Sequence, residues 1–179
     1  MGYGIMPYRI DLGYIKTCYG VNDEGVKKDL IQKASYDLKR IDENLEIEDG
    51  WEKAINILTE FLEGKASKEV YSGAKHWYIL ESLIKILGFP CDNSNWYPTS
   101  IDPLFNFNEF KMYTIDSENK INIPAPDDFP VVFTIERAHF NTALNSMKNS
   151  EYEEDQILQF IKWVELAREK NQDLVLYYY

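Results

Sequence analysis

The sequence has only two cysteines, Cys18 and Cys91, and they lie far apart along the chain. Their spacing matches no cysteine pattern of a metal site, and so few cysteines exclude the small secreted scaffolds that disulfides hold together. We expect two reduced thiols in a cytoplasmic protein. A single disulfide between the two is the alternative.

Long hydrophobic runs are also missing. No apolar stretch approaches the ~20 residues that a helix needs to cross a bilayer. No basic region followed by an apolar run marks a secretion signal at the N-terminus. We therefore expect neither a membrane-spanning segment nor export, and place the protein in the cytoplasm.

Basic residues are scarce, since 19 lysines and arginines face 30 aspartates and glutamates, for a net charge of −11 at pH 7. The lysines are scattered among acids and form no basic patch. A chain of this kind repels nucleic acid and anionic membranes, so neither is an expected partner. An acidic surface suits a basic partner, and it also keeps a protein soluble.

Catalytic motifs are absent as well. The sequence has no phosphate-binding glycine-rich loop and no nucleophile elbow. His76 and His139 are the only histidines; Glu81 lies on another helix face than His76, and Glu136 precedes His139 by three residues. Neither pair supplies the three ligands of a metal site. We predict no catalytic residue, no metal site and no cofactor.

The last thirty residues carry the clearest structural signal. Residues 150–153 fit a capping box in which Ser150 and Glu153 cap a helix. Apolar residues then recur at helical spacing, as a buried stripe requires: Ile157, Phe160, Ile161, Val164 and Ala167. Asn171 can end the helix in a left-handed conformation. Residues 174–179 are β-branched, aromatic and uncharged, which predicts a terminal strand that is covered on both faces.

Residues 2–12 alternate in the period of a strand, in which Pro7 must occupy an unpaired position. Helical spacing predicts helices at 22–43, 50–63, 74–87 and 135–148, with Asn22, Asp49 and Thr134 as caps. A hairpin of 111–115 with 120–123 is also predicted. The predicted fold is α+β: a single domain over residues 1–179, with helices packed on a small mixed or antiparallel sheet whose N- and C-terminal strands are adjacent.

Two features are candidates for partner binding, an acidic segment at 42–52 and an aromatic loop at 89–110. Acidic runs are mostly solvated faces, and aromatics mostly fill cores, although they also form interface hot spots. The predicted contact residues are Asp42, Glu43, Glu46, Glu48, Asp49, Glu52, Trp96 and Tyr97. A second acidic cluster stands at Glu151, Glu153, Glu154 and Asp155.

Six stretches of the sequence form a pattern along nearly the whole chain. They are MPYRIDL (6–12), YGVNDE (19–24), Gly73, IPAPDDFP (123–130), FIKWVELAREK (160–170) and VLYY (175–178). The pattern resembles an uncharacterised bacterial domain family and is similar in outline to the YfbM-like proteins. The resemblance implies a bacterial α+β domain with a strand at each end, and it brings no activity or catalytic residue with it.

We therefore hypothesise a non-enzymatic acidic bacterial binding protein. Its most specific form is an immunity protein that neutralises a toxin by occluding a basic toxic protein, with carboxylates steering the association. One alternative is an enzyme or small-molecule binder with a pocket under the 89–110 loop, lined by Trp96, Tyr97 or His76. Another is an interaction domain that self-associates through its aromatic surface.

Overall fold

The computed structural model describes residues 3–45, 52–65, 73–115, 121 and 123–179. They form an α+β fold, as predicted. The elements are β1 (Ile5–Ile10), α1 (Leu12–Cys18), α2 (Glu24–Leu45), α3 (Ala54–Leu62), α4 (Gly73–Leu87), β2 (Phe89–Pro90), β3 (Lys111–Met112), β4 (Val131–Ile135), α5 (Phe140–Lys148), α6 (Glu154–Glu169) and β5 (Asp173–Tyr178).

The chain divides into two compact units. The first, which we call the sheet unit, comprises Met1–Leu12, Gly88–Tyr113 and Val131–Tyr179. The second, the helical unit, comprises Gly13–Leu87 and Thr114–Pro130. That residues 1–179 fold as one domain remains a prediction.

The sheet has the strand order β2-β1-β5-β4-β3, and every neighbouring pair is antiparallel. β1 and β5 pair along their whole lengths, from Ile5 opposite Tyr178 to Ile10 opposite Asp173. Successive side chains of a strand point to opposite faces, and Leu174 to Tyr177 are all at most 1% exposed. Both the predicted pairing of the terminal strands and the covered tail are confirmed.

Pro7 fits into this sheet because of the direction in which its nitrogen points. Its carbonyl oxygen accepts the N–H of Cys91 at 2.8 Å, just beyond β2. The nitrogen and carbonyl of one strand residue point to the same side, so the missing N–H of Pro7 also faces the β2 side. The ladder between β1 and β5 therefore loses no donor at this position.

The core of the sheet unit lies between the sheet and helices α5 and α6. Phe160, Val164 and Ala167 of the predicted stripe are buried, while Ile157 and Ile161 are partly exposed. The cluster draws apolar side chains from the strands and both helices: Ile5, Phe133, Ile135, Leu174 and Leu176 meet Phe140, Ala143, Met147, Phe160, Trp163, Val164 and Ala167.

Two predicted helix caps are wrong, each because a neighbour does the capping. α6 begins after Glu153, whose N–H is accepted by Gln156 Oε1 at 3.2 Å, whereas the Ser150 hydroxyl donates to the carbonyl of Met147. α2 is capped by Asp23, whose Oδ1 accepts the N–H of Gly25 at 2.8 Å and the N–H of Val26 at 3.1 Å. A carboxylate accepts such bonds more strongly than the Asn22 amide.

The predicted hairpin and the predicted start of α5 are also wrong. Lys111 pairs with Thr134 of β4, and the two described residues of the predicted second strand, Ile121 and Ile123, belong to no strand; residues 120 and 122 lie outside the described residues. Thr134 is buried inside β4 and caps no helix. The β-branched run of β4 favours a strand, and α5 starts only at Phe140, which leaves Ala138 exposed.

In the helical unit, α2, α3 and α4 pack against one another. Helical spacing predicts Val26, Leu30, Ala34 and Leu38 on the inner face of α2 and Ile55 on that of α3. Leu30, Ala34 and Leu38 are buried, whereas Val26 and Ile55 are exposed, so those two inward assignments are wrong. α3 begins at Ala54, later than predicted, and its predicted cap Asp49 lies outside the described residues. Gly64 has a φ of +75°, and a glycine in this left-handed conformation ends the helix, as its place after the apolar stripe predicts.

Asp173 fastens three segments of the sheet unit together, which yields a stability prediction. It is 5% exposed, its Oδ2 accepts the N–H of Leu12 at 3.1 Å, and its Oδ1 accepts the N–H of Arg137 at 2.9 Å. Asp173→Ala leaves both donors without this acceptor, and we expect a loss of about 2–4 kcal/mol in the free energy of unfolding by urea. The exposed Glu165→Ala should change it by less than about 0.5 kcal/mol. Equal losses would contradict the role of Asp173.

Gly73 opens α4 at a point of close backbone approach. A Cβ there would lie 2.6 Å from the carbonyl oxygen of Ala125. We expect Gly73→Ala to lower the unfolding free energy by at least about 1 kcal/mol, since backbone must shift to admit the methyl group. Gly25→Ala is the control, because a Cβ there meets only a side-chain oxygen of Asp23, at 3.1 Å. A Gly73→Ala melting temperature equal to that of wild type would refute the packing argument.

Candidate functional site

The residues predicted to bind a partner fall in both units. Asp42, Glu43 and Glu52 belong to the helical unit, and Trp96 and Tyr97 belong to the sheet unit. Glu46, Glu48 and Asp49 lie outside the described residues.

Asp42 supports the helical unit from within. Its Oδ1 accepts Lys75 Nζ at 2.5 Å and the N–H of Ala54, the first residue of α3, at 2.9 Å. The buried Lys75 also donates to the carbonyl of Glu52 at 2.6 Å. A buried ammonium needs such a counter-charge. Asp42 therefore joins α2, α3 and α4, whereas Glu43 and the side chain of Glu52 are exposed.

Trp96 is a core residue of the sheet unit. It is fully buried, and its indole N–H donates to the carbonyl of Gln156 at 3.1 Å. Its ring centroid lies 4.6 Å from that of Tyr152 and 5.4 Å from that of Trp163. Tyr97 is 54% exposed and its ring covers Gly4.

The start of the aromatic loop is held to α6 by the buried Gln159. Its Nε2 donates to Asp92 Oδ2 at 2.6 Å and to the Ser94 hydroxyl at 3.0 Å, and its Oε1 accepts the N–H of Asn95 at 3.0 Å. The indole N–H of Trp163 donates to the carbonyl of Asp92 at 2.6 Å. This part of the loop is packed down on the helix as a cover.

An open groove of about 560 Å³ lies further along the same loop, within the sheet unit. One wall is formed by the loop and the other by the turn that leads into α6. Its lining residues are Thr99, Ser100, Asp102, Pro103, Asn106, Phe107, Ser150, Glu151, Tyr152, Glu153 and Gln156. We call this feature the groove.

Hydrogen bonds join the two walls of the groove. The Tyr152 hydroxyl donates to the carbonyl of Ser100 at 3.0 Å, and Gln156 Nε2 donates to Thr99 Oγ1 at 3.0 Å. The Ser100 hydroxyl donates to Asp102 Oδ2 at 2.9 Å. The groove is therefore fixed before any ligand arrives, which lowers the entropy lost on binding.

The groove is acidic and partly aromatic. Asp102, Glu151 and Glu153 are exposed carboxylates in its lining, and none of the described residues that line it is lysine, arginine or histidine. Burial, and then the negative charge of Asp102, raise the pKa of the Tyr152 phenol. The phenol thus stays neutral at physiological pH, and the arrangement suits a cation.

Neither histidine belongs to the groove, since His139 is exposed at the start of α5 and His76 lies in the helical unit. Within the described residues, no three His, Cys, Asp or Glu side chains are grouped so that they could hold a metal ion. Cys18 and Cys91 are free thiols, and burial raises the pKa of both. The helices of the described ranges include none with the length and apolar character to cross a membrane.

Sequence reasoning located the loop but missed the groove. Trp96 and Tyr97 do not line it, and neither does His76. The cluster at Glu151 and Glu153 was visible in the sequence, but nothing local shows that it faces Asp102. Their juxtaposition depends on contacts such as Thr99–Gln156, between residues 57 positions apart.

The contact between Gln159 and Asp92 gives a pH-dependent prediction. In Gln159→Glu, burial and the Asp92 charge raise the folded-state pKa of the new carboxyl above its unfolded value of about 4.3. Below about pH 4 the new carboxyl is protonated in both states and can donate to Asp92, so the variant should be close to wild type in unfolding free energy. The deficit should grow as the pH rises through the folded-state pKa and reach about 2–4 kcal/mol at pH 7.

The control for this prediction is the double variant Asp92→Asn with Gln159→Glu. It restores a donor opposite the new carboxylate and should recover most of the lost stability at pH 7. Urea unfolding at several pH values measures both variants. A deficit that does not change with pH would contradict the assigned contact.

A family described as a domain of unknown function (DUF7691) matches residues 1–179. The expectation of an uncharacterised family is thereby confirmed, while the likeness to the YfbM-like proteins and the bacterial origin remain predictions. No curated protein and no solved structure matches the chain.

Proposed function

Since the chain belongs to this DUF7691 family of unknown function, we propose a role from its own surface: it is a non-enzymatic acidic protein that binds a basic protein partner. The observation that carries the proposal is the groove of the sheet unit. It combines Asp102, Glu151 and Glu153 with the partly buried rings of Phe107 and Tyr152. Carboxylates together with aromatic rings suit a basic side chain with a long aliphatic stem.

The charge of the whole chain supports the same partner. A net charge of −11 attracts a basic protein from a distance and accelerates encounter at low salt. Long-range attraction does not select a contact site on the surface. The fixed groove supplies that local contact. Affinity for such a partner should fall as ionic strength rises.

The narrower form of the proposal is toxin neutralisation in the bacterial cytoplasm. A compact acidic protein would cover the basic surface of a toxic protein such as a nuclease, and so block its access to an anionic substrate. Support for this form is the charge of the chain together with the acidic groove. A neighbouring gene without a toxin product, and no basic protein bound in a pull-down, would count against it.

A second candidate is a binder of small cationic molecules. The groove volume of about 560 Å³ falls within the usual range for small-ligand sites, roughly 300–1,000 Å³. In that case free spermidine or agmatine would bind to the protein, at the same carboxylates that line the groove. Calorimetry with each compound separates this candidate from a protein-binding role.

The proposal is tested with a groove variant, Asp102→Asn with Glu151→Gln and Glu153→Gln. The probe is a fluorescent nine-residue peptide that contains arginine, lysine and glycine. We expect the groove variant to bind it about tenfold more weakly in fluorescence anisotropy, because three exposed charge contacts of ~0.5 kcal/mol each are lost.

The matched control removes the same amount of charge from the acidic segment, through Glu43→Gln, Glu46→Gln and Glu48→Gln. It should weaken binding by less than about threefold, since only long-range attraction changes. Equal weakening in both variants would mean that the net charge of the chain, and not the groove, accounts for peptide binding. A loss confined to the control would move the site to the segment at 42–52.

A further inference from the structure

We propose that the groove takes an arginine side chain of the partner and favours it over lysine. This inference rests on the proposed function and specifies the chemistry of the same site. Three features of the groove support it: a fixed aromatic ring, carboxylates on both walls, and hydrogen bonds that hold the walls in place.

The ring of Tyr152 is fixed from two sides. Its hydroxyl donates to the carbonyl of Ser100 across the groove, and its ring packs 4.6 Å from the buried ring of Trp96. Tyr152 is partly exposed and lines the groove, which leaves part of the residue accessible to a ligand. Phe107 adds a second partly exposed ring, which packs on Phe110 at 5.3 Å. A planar guanidinium stacks on such rings, whereas an ammonium offers only a point charge.

The carboxylates are divided between the two walls. Asp102 belongs to the loop wall, and its Oδ2 is held by the Ser100 hydroxyl at 2.9 Å. Glu151 and Glu153 belong to the opposite wall, where α6 begins. A guanidinium has five N–H donors in one plane and can bond to acceptors on both sides at once. The lysine ammonium is more strongly hydrated and gains less from leaving water.

The walls resist closing around a smaller group. Gln156 Nε2 donates to Thr99 Oγ1, while the indole N–H of Trp96 donates to the carbonyl of Gln156. These bonds join the loop to the start of α6 and so hold the two walls at a fixed distance. A site of fixed width discriminates between ligands by their shape. A ligand that fits poorly leaves the carboxylates of the site without direct contacts.

The test compares three peptides of identical sequence except for a central arginine, lysine or citrulline. Citrulline keeps the shape of arginine without its charge. We expect wild type to bind the arginine peptide about fivefold more tightly than the lysine peptide, and the citrulline peptide more weakly than both. Calorimetry at fixed salt gives the three affinities.

Substitutions at Tyr152 and Phe107 assign the preference to the groove. Tyr152→Leu should bring the ratio of arginine to lysine affinity close to one, while Tyr152→Phe, which keeps the ring, should retain most of the preference. Phe107→Leu provides a second readout if Tyr152→Leu fails to fold, and it should lower the ratio in the same direction. Circular dichroism and urea unfolding confirm that each variant is folded.

The outcomes separate this inference from the function on which it rests. Wild type could bind the arginine and lysine peptides with equal affinity, and the groove variant could bind neither. That result would leave the basic-partner role intact and overturn the arginine preference. Failure of wild type to bind either charged peptide would overturn both proposals. An arginine preference that survives in the groove variant would place it elsewhere on the chain and refute the site.

Discussion

The antiparallel ladder between β1 and β5 is the constraint on which the sheet unit depends. It joins the first and last segments of the chain over six residue pairs, and the buried carboxylate of Asp173 fastens its end to Leu12 and Arg137. Because β5 follows α6 after a short left-handed turn at Asn171, the position of the ladder also sets the position of α6 against the sheet.

The groove follows from that placement. α6 begins where the aromatic loop crosses it, and Gln156 and Gln159 bind the loop at two points of the helix. Trp163 and Trp96 fill the space beneath the contact. The same side chains that complete the core therefore hold the Thr99–Phe107 wall at a fixed distance from the start of the helix. In the sheet unit, the packing of the core therefore also determines the shape of the groove.

Local patterns predicted most helices and both terminal strands, because apolar periodicity records which face of an element is buried. They failed where two local signals compete, as at Thr134, where a plausible cap also sits in a β-branched run. They failed again where pairing is non-local, since β3 joins β4 across a long stretch of sequence. The groove could not be predicted for the same reason. The residues predicted to bind a partner included Asp42 and Trp96. Asp42 is the counter-charge of the buried Lys75 and Trp96 is a core residue, and composition alone cannot distinguish either role from a surface contact.

The backbone of Thr99 links the groove to residues in and beside the β1–β5 ladder. Its N–H donates to the carbonyl of Tyr3, and its own carbonyl accepts the hydroxyl of Tyr178. Gly4 and Tyr179 exchange backbone hydrogen bonds beside them. Tyr3 and Tyr178 thus both contact a residue that lines the groove. A change at Tyr178 would therefore reach the groove wall through the Thr99 carbonyl, although Tyr178 itself does not line the groove.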